Sequence, residues 1–512
     1  MKKALIRAST TIVIILLLVV TTTWAQKPDA LSSLNGFDAF ANKILAEWKV
    51  PGVSAAIVKD GKLIYAEGFG FKDVKNGLKV TPHTVFAIGS CTKAFTATTM
   101  GILVDEGKLD WDKPVRTYLP SFKLLDPVAS EQMTPRDLVC HRSGLPRHDR
   151  VWYLSPLSRE QLFERLQYLE PSRGFRAAYQ YQNLMFMAAG YLVEKTVGMP
   201  WEEFARKRIL EPLEMKETNF SVTDSQKAPD FALPYQEIKG KVEQIPFCNI
   251  DAIGPAGSIN SNVSDMAKWV LLNLNKGQYG EKDNQRIIAE STMAQIHSPQ
   301  MVVPDEMKYD ELFFPSYGLG WRITAYRGHW LVYHHGAIDG FSAMVSFMPR
   351  DHFGIVLLNN LDGAPANTVL AYNIYDRLLG LSQVDWNQRI KDERAKSQQD
   401  AEKAKKERER DRKPNTQPSH VLDDYAGDFE NPGYGIVTIE KQGNELKAKY
   451  NTLAFGLKHY HYDIFDMTSD FINFDQLLSF MTDAKGQVGS LSVKFEPNAK
   501  EIIFTRVHPK NK

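Results

Sequence analysis

Cysteine is scarce in this chain, with only Cys91, Cys140 and Cys248 among 512 residues. An odd, sparse set builds no disulfide framework, and the three read as buried small apolar residues. An excess of either charge is missing too. The 62 Lys and Arg nearly match the 61 Asp and Glu, leaving a net charge of +1, so nothing electrostatic points to a nucleic-acid partner. There is no His-Glu-x-x-His and no cysteine cluster, so a metal site lacks its usual ligand patterns. The unbroken apolar run at residues 12–20 is short for a membrane span. Lys2, Lys3 and Arg7 precede it, and Thr23-Trp24-Ala25 follows as a small-x-small cleavage pattern before Gln26. That is the three-part layout of a secretory signal, with an uncleaved anchor as the other reading. The chain is therefore expected to be exported, periplasmic or secreted.

What is present is ordinary globular material, 43% hydrophobic and 24% charged, at a length that suggests two or more domains. Val53-Ser54-Ala55-Ala56-Ile57-Val58 and Leu63-Ile64-Tyr65-Ala66 read as strands joined by an Asp60-Gly61 turn. From about residue 105 to 315 the text is mostly helical and loop-like. Strand signals return between residues 320 and 358, as in Leu331-Val332-Tyr333, Ala343-Met344-Val345-Ser346-Phe347 and Ile355-Val356-Leu357-Leu358. Strands at both ends of a region, with helices between, imply one mixed sheet carrying an inserted helical lobe. Residues 391–413 are nearly all charged; helix propensity is high, but there is no apolar face to bury. They read as a solvated spacer, with a partner-binding helix as the alternative. Beyond them come short, evenly spaced strands, including Ile436-Val437-Thr438-Ile439, Phe471-Ile472-Asn473-Phe474 and Leu491-Ser492-Val493-Lys494-Phe495, the pattern of a small antiparallel barrel or sandwich.

The chemistry concentrates in Ser90-Cys91-Thr92-Lys93. At i and i+3 of a helix the Lys93 amine can lie beside the Ser90 hydroxyl. A serine needs a base within hydrogen-bond reach, and a lysine serves if burial lowers its pKa. Alone, the tetrapeptide is better read as a helix-capping serine followed by a solvated lysine. Two further segments change that balance. Tyr181-Gln182-Asn183 opens a helix; Tyr181 can pass protons, and Asn183 can accept from Lys93 and donate to a substrate carbonyl. His334-His335-Gly336-Ala337 ends a strand. Gly336 permits close approach of a substrate backbone, and a following N–H can face a developing oxyanion.

Taken in this order, the three elements resemble the serine beta-lactamase and penicillin-binding-protein superfamily, in its class C-like branch with esterase and D-aminopeptidase relatives. Val139-Cys140-His141-Arg142-Ser143-Gly144-Leu145-Pro146, Gly257-Ser258-Ile259-Asn260-Ser261 with Asp265, and Tyr317-Gly318-Leu319-Gly320-Trp321 resemble further segments of that family. The resemblance covers about residues 36–380. The tail from about residue 419 is similar to the lipocalin-like barrel of some of these hydrolases. The implied architecture is α+β: a beta-lactamase/transpeptidase-like mixed sheet flanked by helices, with an inserted helical lobe, followed by a small antiparallel β-barrel. The corresponding divisions are 1–25 signal, 26–385 hydrolase domain, 386–418 charged helical linker and 419–512 barrel.

The resemblance implies acyl transfer without metal or organic cofactor. Ser90 is the expected nucleophile, and Lys93 and Tyr181 share its proton, with the identity of the base open. Asn183, His334, His335 and Gly336 are expected to bind substrate, and the Ser90 and Ala337 N–H groups to form the oxyanion hole. Many beta-lactamases carry lysine where His334 stands and a small hydroxyl residue where His335 stands, both touching the substrate carboxylate. Esterase, amidase or D-amino-acid peptidase action therefore fits better than beta-lactam turnover, on a small-molecule or peptide substrate that includes cell-wall fragments. Histidines titrating near pH 6.5 would make carboxylate binding improve as pH falls. The competing readings are a catalytically weak penicillin- or cell-wall-binding relative, and a scaffold whose barrel binds a lipid or a partner. The barrel is also a candidate route to a homo-oligomer.

Overall fold

The computed structural model describes residues 30–280, 285–304, 308–496 and 498–508, so the expected signal lies outside the described residues. Helix α1 (Phe37–Glu47) buries Phe37, Ala41, Ile44 and Leu45, one face at helical spacing. Strands β1 (Gly52–Lys59) and β2 (Lys62–Asp73) then form a hairpin. Its two-residue turn needs positive φ at both positions, and Asp60 (φ 48°) and Gly61 (φ 80°) supply it. A short β3 (Leu78–Lys79) follows, and then the buried α2 (Thr92–Asp105). The helical lobe includes α3 (Asn183–Val197) and α4 (Val263–Leu274). The chain returns as β4 (Met301–Val302), β5 (Leu312–Tyr317), β6 (Arg322–Tyr326), β7 (His329–Ile338), β8 (Phe341–Met348) and β9 (Phe353–Asn359). Helix α5 (Ala366–Leu379) closes the unit.

The nine strands run in the order β3-β2-β1-β9-β8-β7-β6-β5-β4. The first and last parts of the region thus meet at the β1–β9 pair, where Val53 faces Asn359 and Lys59 faces Phe353. Both central strands are buried on both faces, and their side chains sort by parity. Ala55, Ile57, Ile355 and Leu357 pack with α1 and α5 residues such as Phe37, Ile44, Leu370 and Ile374. Ala56, Val58, Val356 and Leu358 join the core on the other face, with α2, α3 and α4. The sheet with its inserted lobe is as the sequence implies, except that all its strand pairs are antiparallel rather than mixed, and that β4 and β5 lie in the stretch read there as helix and loop.

Helix α6 (Trp386–Asp411) bridges to the second unit. It is not simply a solvated spacer, because both ends are anchored. Trp386 is buried and donates its indole N–H to the Tyr326 hydroxyl at 3.2 Å. At the far end Arg408 pairs with Asp466 and Asp475, and Arg412 donates to the carbonyls of His459 and Tyr460. Strands β10 (Gly427–Asn431), β11 (Gly435–Gln442), β12 (Glu445–Tyr450), β13 (Leu453–His461), β14 (Ile464–Ser469), β15 (Phe474–Thr482), β16 (Val488–Val493) and β17 (Ile502–Arg506) close into a barrel through β10–β17 pairing. Along β12, Leu446, Ala448 and Tyr450 point inward and alternate with exposed residues. Aromatic rings fill the interior: Tyr450 stacks on Phe495 at 4.9 Å, and Tyr425 and Phe465 meet Phe480 at 4.8 and 5.6 Å. The reading of Phe471-Ile472-Asn473-Phe474 as a strand is corrected. Only Phe474 begins one, and the three residues before it form a turn with Asn473 at φ 47°.

Candidate active site

Ser90 sits in a single 3-10 turn (Gly89–Cys91) that leads directly into α2. That turn is pressed against β7. A Cβ on Gly336 would lie 1.9 Å from the Ile88 carbonyl oxygen, and one on Gly89 (φ 50°) would lie 2.7 Å from the Ala337 nitrogen. Two glycines therefore let the nucleophile turn and the strand edge touch through backbone alone. The Cys91 thiol donates to the His334 carbonyl at 3.3 Å, locking the same junction. Cys91 is buried, and burial pushes its thiol up to about 12, so it is no rival nucleophile.

Lys93 is 0% exposed. Its Nζ lies 3.0 Å from Ser90 Oγ, 2.8 Å from Asn183 Oδ1 and 2.7 Å from the Ala256 carbonyl oxygen. Asn183 is the first residue of α3, capped by the Gln182 side chain, and the short helix carrying Ala256 is tied to α2 by Thr96 Oγ1, which donates to Pro255 O at 2.6 Å. Burial, then the Arg147 guanidinium, lower the Lys93 pKa well below its usual value, opposed by Asp149. A neutral amine fits this cage. As an ammonium Lys93 donates to Ser90 Oγ, Asn183 Oδ1 and Ala256 O; as a neutral amine its two N–H groups satisfy Asn183 Oδ1 and Ala256 O and leave a lone pair for the Ser90 hydroxyl.

Tyr181 also hydrogen-bonds to Ser90, but burial pushes its phenol up to about 12 despite that bond and the nearby Arg147 and Arg322. Its ring lies over His141 at 4.2 Å. Residues on either side bracket it: Gln180 N–H donates to the His141 carbonyl at 2.8 Å, and Gln182 N–H to His141 Nδ1 at 3.0 Å. The Arg147 guanidinium covers the ring at 5.0 Å.

The structure thus brings Ser90, Lys93, Tyr181, Asn183, Gly336 and Ala337 together. His334 lies beside them, its ring 6.3 Å from that of Tyr181, and the two histidines have partners that the sequence did not show. Both ring nitrogens of His334 are engaged within the protein, Nε2 with the Tyr317 hydroxyl at 2.9 Å and Nδ1 with the His335 carbonyl oxygen at 2.6 Å. Burial, then Lys93 and Arg322, hold its pKa well below the usual histidine value. It therefore stays neutral through the range in which carboxylate binding was expected to vary. His335, next along the strand, projects to the opposite face from Gly336, where its ring meets Tyr333 at 5.4 Å. Protein packed around it and the neighbouring Arg322 lower its pKa to about 4, although it keeps a solvent-exposed edge.

Sequence reasoning missed Arg147 and Asp149, which follow the Ser143-Gly144-Leu145-Pro146 loop without any periodic signal. Asp149 accepts from Arg147 Nε at 2.6 Å, Trp152 Nε1 at 2.8 Å and Asn183 Nδ2 at 2.9 Å. The Asn183 amide is consequently oriented with its oxygen toward Lys93 and with one of its two N–H groups on Asp149. A cleft of about 300 Å³ opens over Ser90, Asn183 and Ala337. Its far wall comes from the barrel, through Phe471, Ile472 and Glu496.

Comparison with known proteins agrees with this construction. Residues 37–379 match the Beta-lactamase family, and residues 411–506 match a domain of unknown function, DUF3471. Unguisins hydrolase ungD' of Aspergillus campestris is 30% identical over 442 residues, covering 80% of this chain and 79% of that protein. Unguisins hydrolase ungD of Aspergillus violaceofuscus is 26% identical over 503 residues, 90% of this chain and 88% of that one. The octameric penicillin-binding protein homologue from Pyrococcus abyssi shares the fold, with a TM-score of 0.61 at 23% identity over 92% of this chain and 100% of that chain. With the family match spanning most of the chain and a Ser-x-x-Lys pair buried at its centre, this protein belongs to the beta-lactamase family.

Proposed function

We propose that this chain is an exported serine hydrolase acting through an acyl-enzyme at Ser90, with neutral Lys93 as the general base. The observation that carries the reading is the Lys93 cage. A fully buried amine, held by two carbonyl-type acceptors and 3.0 Å from the Ser90 hydroxyl, can turn a lone pair to the nucleophile once it is neutral. Lys93 takes the Ser90 proton as Oγ attacks the substrate carbonyl. The Ser90 and Ala337 N–H groups receive the oxyanion. Tyr181, kept protonated by burial, donates to the leaving group and recovers a proton from the Lys93 ammonium. Water then attacks the acyl carbon to release the acid and regenerate Ser90. Hydrolase relatives support the reaction class.

The substrate class favoured is an ester, amide or D-amino-acid peptide rather than a beta-lactam. A neutral His334 with both nitrogens engaged offers no cation to a substrate carboxylate. A fluorescent alkyl phosphonate tests the reading directly: the wild type should label rapidly at Ser90, and Ser90→Ala should not label. Slow labelling of the wild type, at the rate of an ordinary surface serine, would sink it.

A further inference from the structure

The loop carrying Arg147 and Asp149 is held from two sides. Within the catalytic unit Gln182 Nε2 donates to the Pro146 carbonyl at 2.5 Å, the Tyr153 hydroxyl donates to Asp339, and Val151 is buried. His148 adopts the left-handed conformation (φ 50°, ψ 34°) while 0% exposed, a backbone state that costs energy for a residue other than glycine. The second hold is the barrel. Tyr434, whose ring lies inside the barrel core, places its hydroxyl 2.6 Å from His148 Nδ1. Because His148 Nε2 faces the Glu170 carbonyl at 2.9 Å, Nε2 carries the proton and Nδ1 accepts from Tyr434.

The next residues are held the same way. Glu496 Oε1 accepts the Arg150 N–H at 3.1 Å, and the Arg150 carbonyl accepts from Tyr450 Oη at 2.9 Å and Asn451 Nδ2 at 3.2 Å. Asn451 Nδ2 also reaches the Tyr153 carbonyl at 3.3 Å, and Thr452 donates to the Leu154 carbonyl at 3.1 Å. Every one of these partners is a barrel residue. They bracket Asp149, whose side chain fixes the Asn183 amide that holds Lys93.

We infer that the barrel is a positioning arm of the catalytic site: through Tyr434, Tyr450, Asn451 and Glu496 it holds residues 148–154 in the conformation that lets Asp149 aim Asn183 Oδ1 at Lys93. Without that hold the amide is free to flip. Its N–H then meets the Lys93 amine, and either two donors oppose each other or the amide takes the lone pair that Ser90 requires. Tyr434, Asn451 and Glu496 thus act on the base from outside the catalytic unit. They are positioning residues, touching no reacting atom.

The inference rests on the reading of Ser90 and Lys93 above, and the test separates the two. The full-length chain is used throughout. Tyr434→Phe removes only a hydroxyl from the barrel core. Asn451→Gly removes the amide while suiting that residue's positive φ of 53°. Each should slow labelling of Ser90 by a small neutral phosphonate about 10-fold, lowering kcat for a small acetate ester by a similar factor with KM within about twofold. The decisive readout is a double-mutant cycle. In an Asp149→Ala background, Tyr434→Phe and Asn451→Gly should have no further effect on labelling, whereas a merely structural weakening would lower it again. Wild-type labelling rates in both barrel variants, or effects that multiply with Asp149→Ala, overturn the inference while leaving the hydrolase reading intact. A wild type that fails to label at Ser90 overturns that reading and this inference with it. Thermal melts of each variant accompany the rates. If Tyr434→Phe melts below the assay temperature, the Asn451→Gly cycle alone decides.

Discussion

The two units of this molecule bury opposite kinds of material. Behind the sheet, the core around α2 contains a lysine, an asparagine and a histidine with 6% exposure or less. The barrel interior is aromatic, its tyrosine hydroxyls turned outward to the other unit. Burying an amine costs free energy unless it is hydrogen-bonded or neutral; Asn183 and Ala256 supply the hydrogen bonds, and burial lowers the Lys93 pKa. The barrel spends most of its interior on packing, with Glu496 the buried carboxyl at its edge facing the other unit. Chemistry sits where polar burial is tolerated, and the apolar unit supplies rigidity to it.

That contrast can be broken or sharpened by substitution. The largest effect is expected from Ser90→Ala, which should reduce esterase kcat/KM by about 10³-fold or more with an unchanged melting profile; an unaltered rate in protein free of contaminating esterase would refute it. Lys93→Arg should fall nearly as far, because a guanidinium cannot lose its proton at neutral pH. Activity well above that of Lys93→Ala would show that the site needs a cation and not a base. The opposite signature belongs to the barrel. Phe480→Ala, which removes a ring packed against Tyr425, Phe429 and Phe465, should cost about 3–5 kcal/mol of barrel stability in calorimetry.

Smaller effects test the electrostatics. The rate requires neutral Lys93, so activity falls as pH drops through its depressed pKa. The Arg147 charge contributes to that depression. Arg147→Gln should therefore move the acid limb of the kcat/KM profile upward by about one pH unit, and a limb that stays in place would remove Lys93 from the titration. The smallest is thermal. Burial, then Asp149, raise the Glu496 pKa to about 7. A raised folded-state pKa means stability present below the unfolded value, near pH 4.5, is lost as pH climbs through 7. Glu496→Gln should melt about 2–4 °C higher than wild type at pH 8 and equally at pH 4; an equal melting temperature at pH 8 would contradict it.

Much of this was legible in the chain. Local patterns carry their own physics: the Asp60-Gly61 turn, the parity of Val53 to Val58, and the i, i+3 pair Ser90 and Lys93 all lie within a few residues. The partners of the two histidines were not legible because strand parity alone does not say what fills each face, and Tyr317, seventeen residues away, takes His334. Phe471 and Ile472 looked like strand because apolar alternation does not distinguish a strand from a turn whose side chains reach another unit. Arg147 and Asp149 lie in a loop with no periodicity to mark them.

By itself, then, the sequence determined the two-unit organisation, the sheet with its inserted lobe, and the pairing of Ser90 with Lys93, because backbone propensity, hydrophobic period and short-range spacing are set by neighbours along the chain. Tertiary structure alone decided the state of Lys93 and the role of the barrel. A lysine's pKa depends on how much water is excluded around it and on which charges stand nearby, here Arg147 and Asp149, more than fifty residues away. The hold on Asp149 depends on groups nearly three hundred residues further on. Such long-range contacts leave no mark on local pattern; only the folded chain brings them within hydrogen-bond reach.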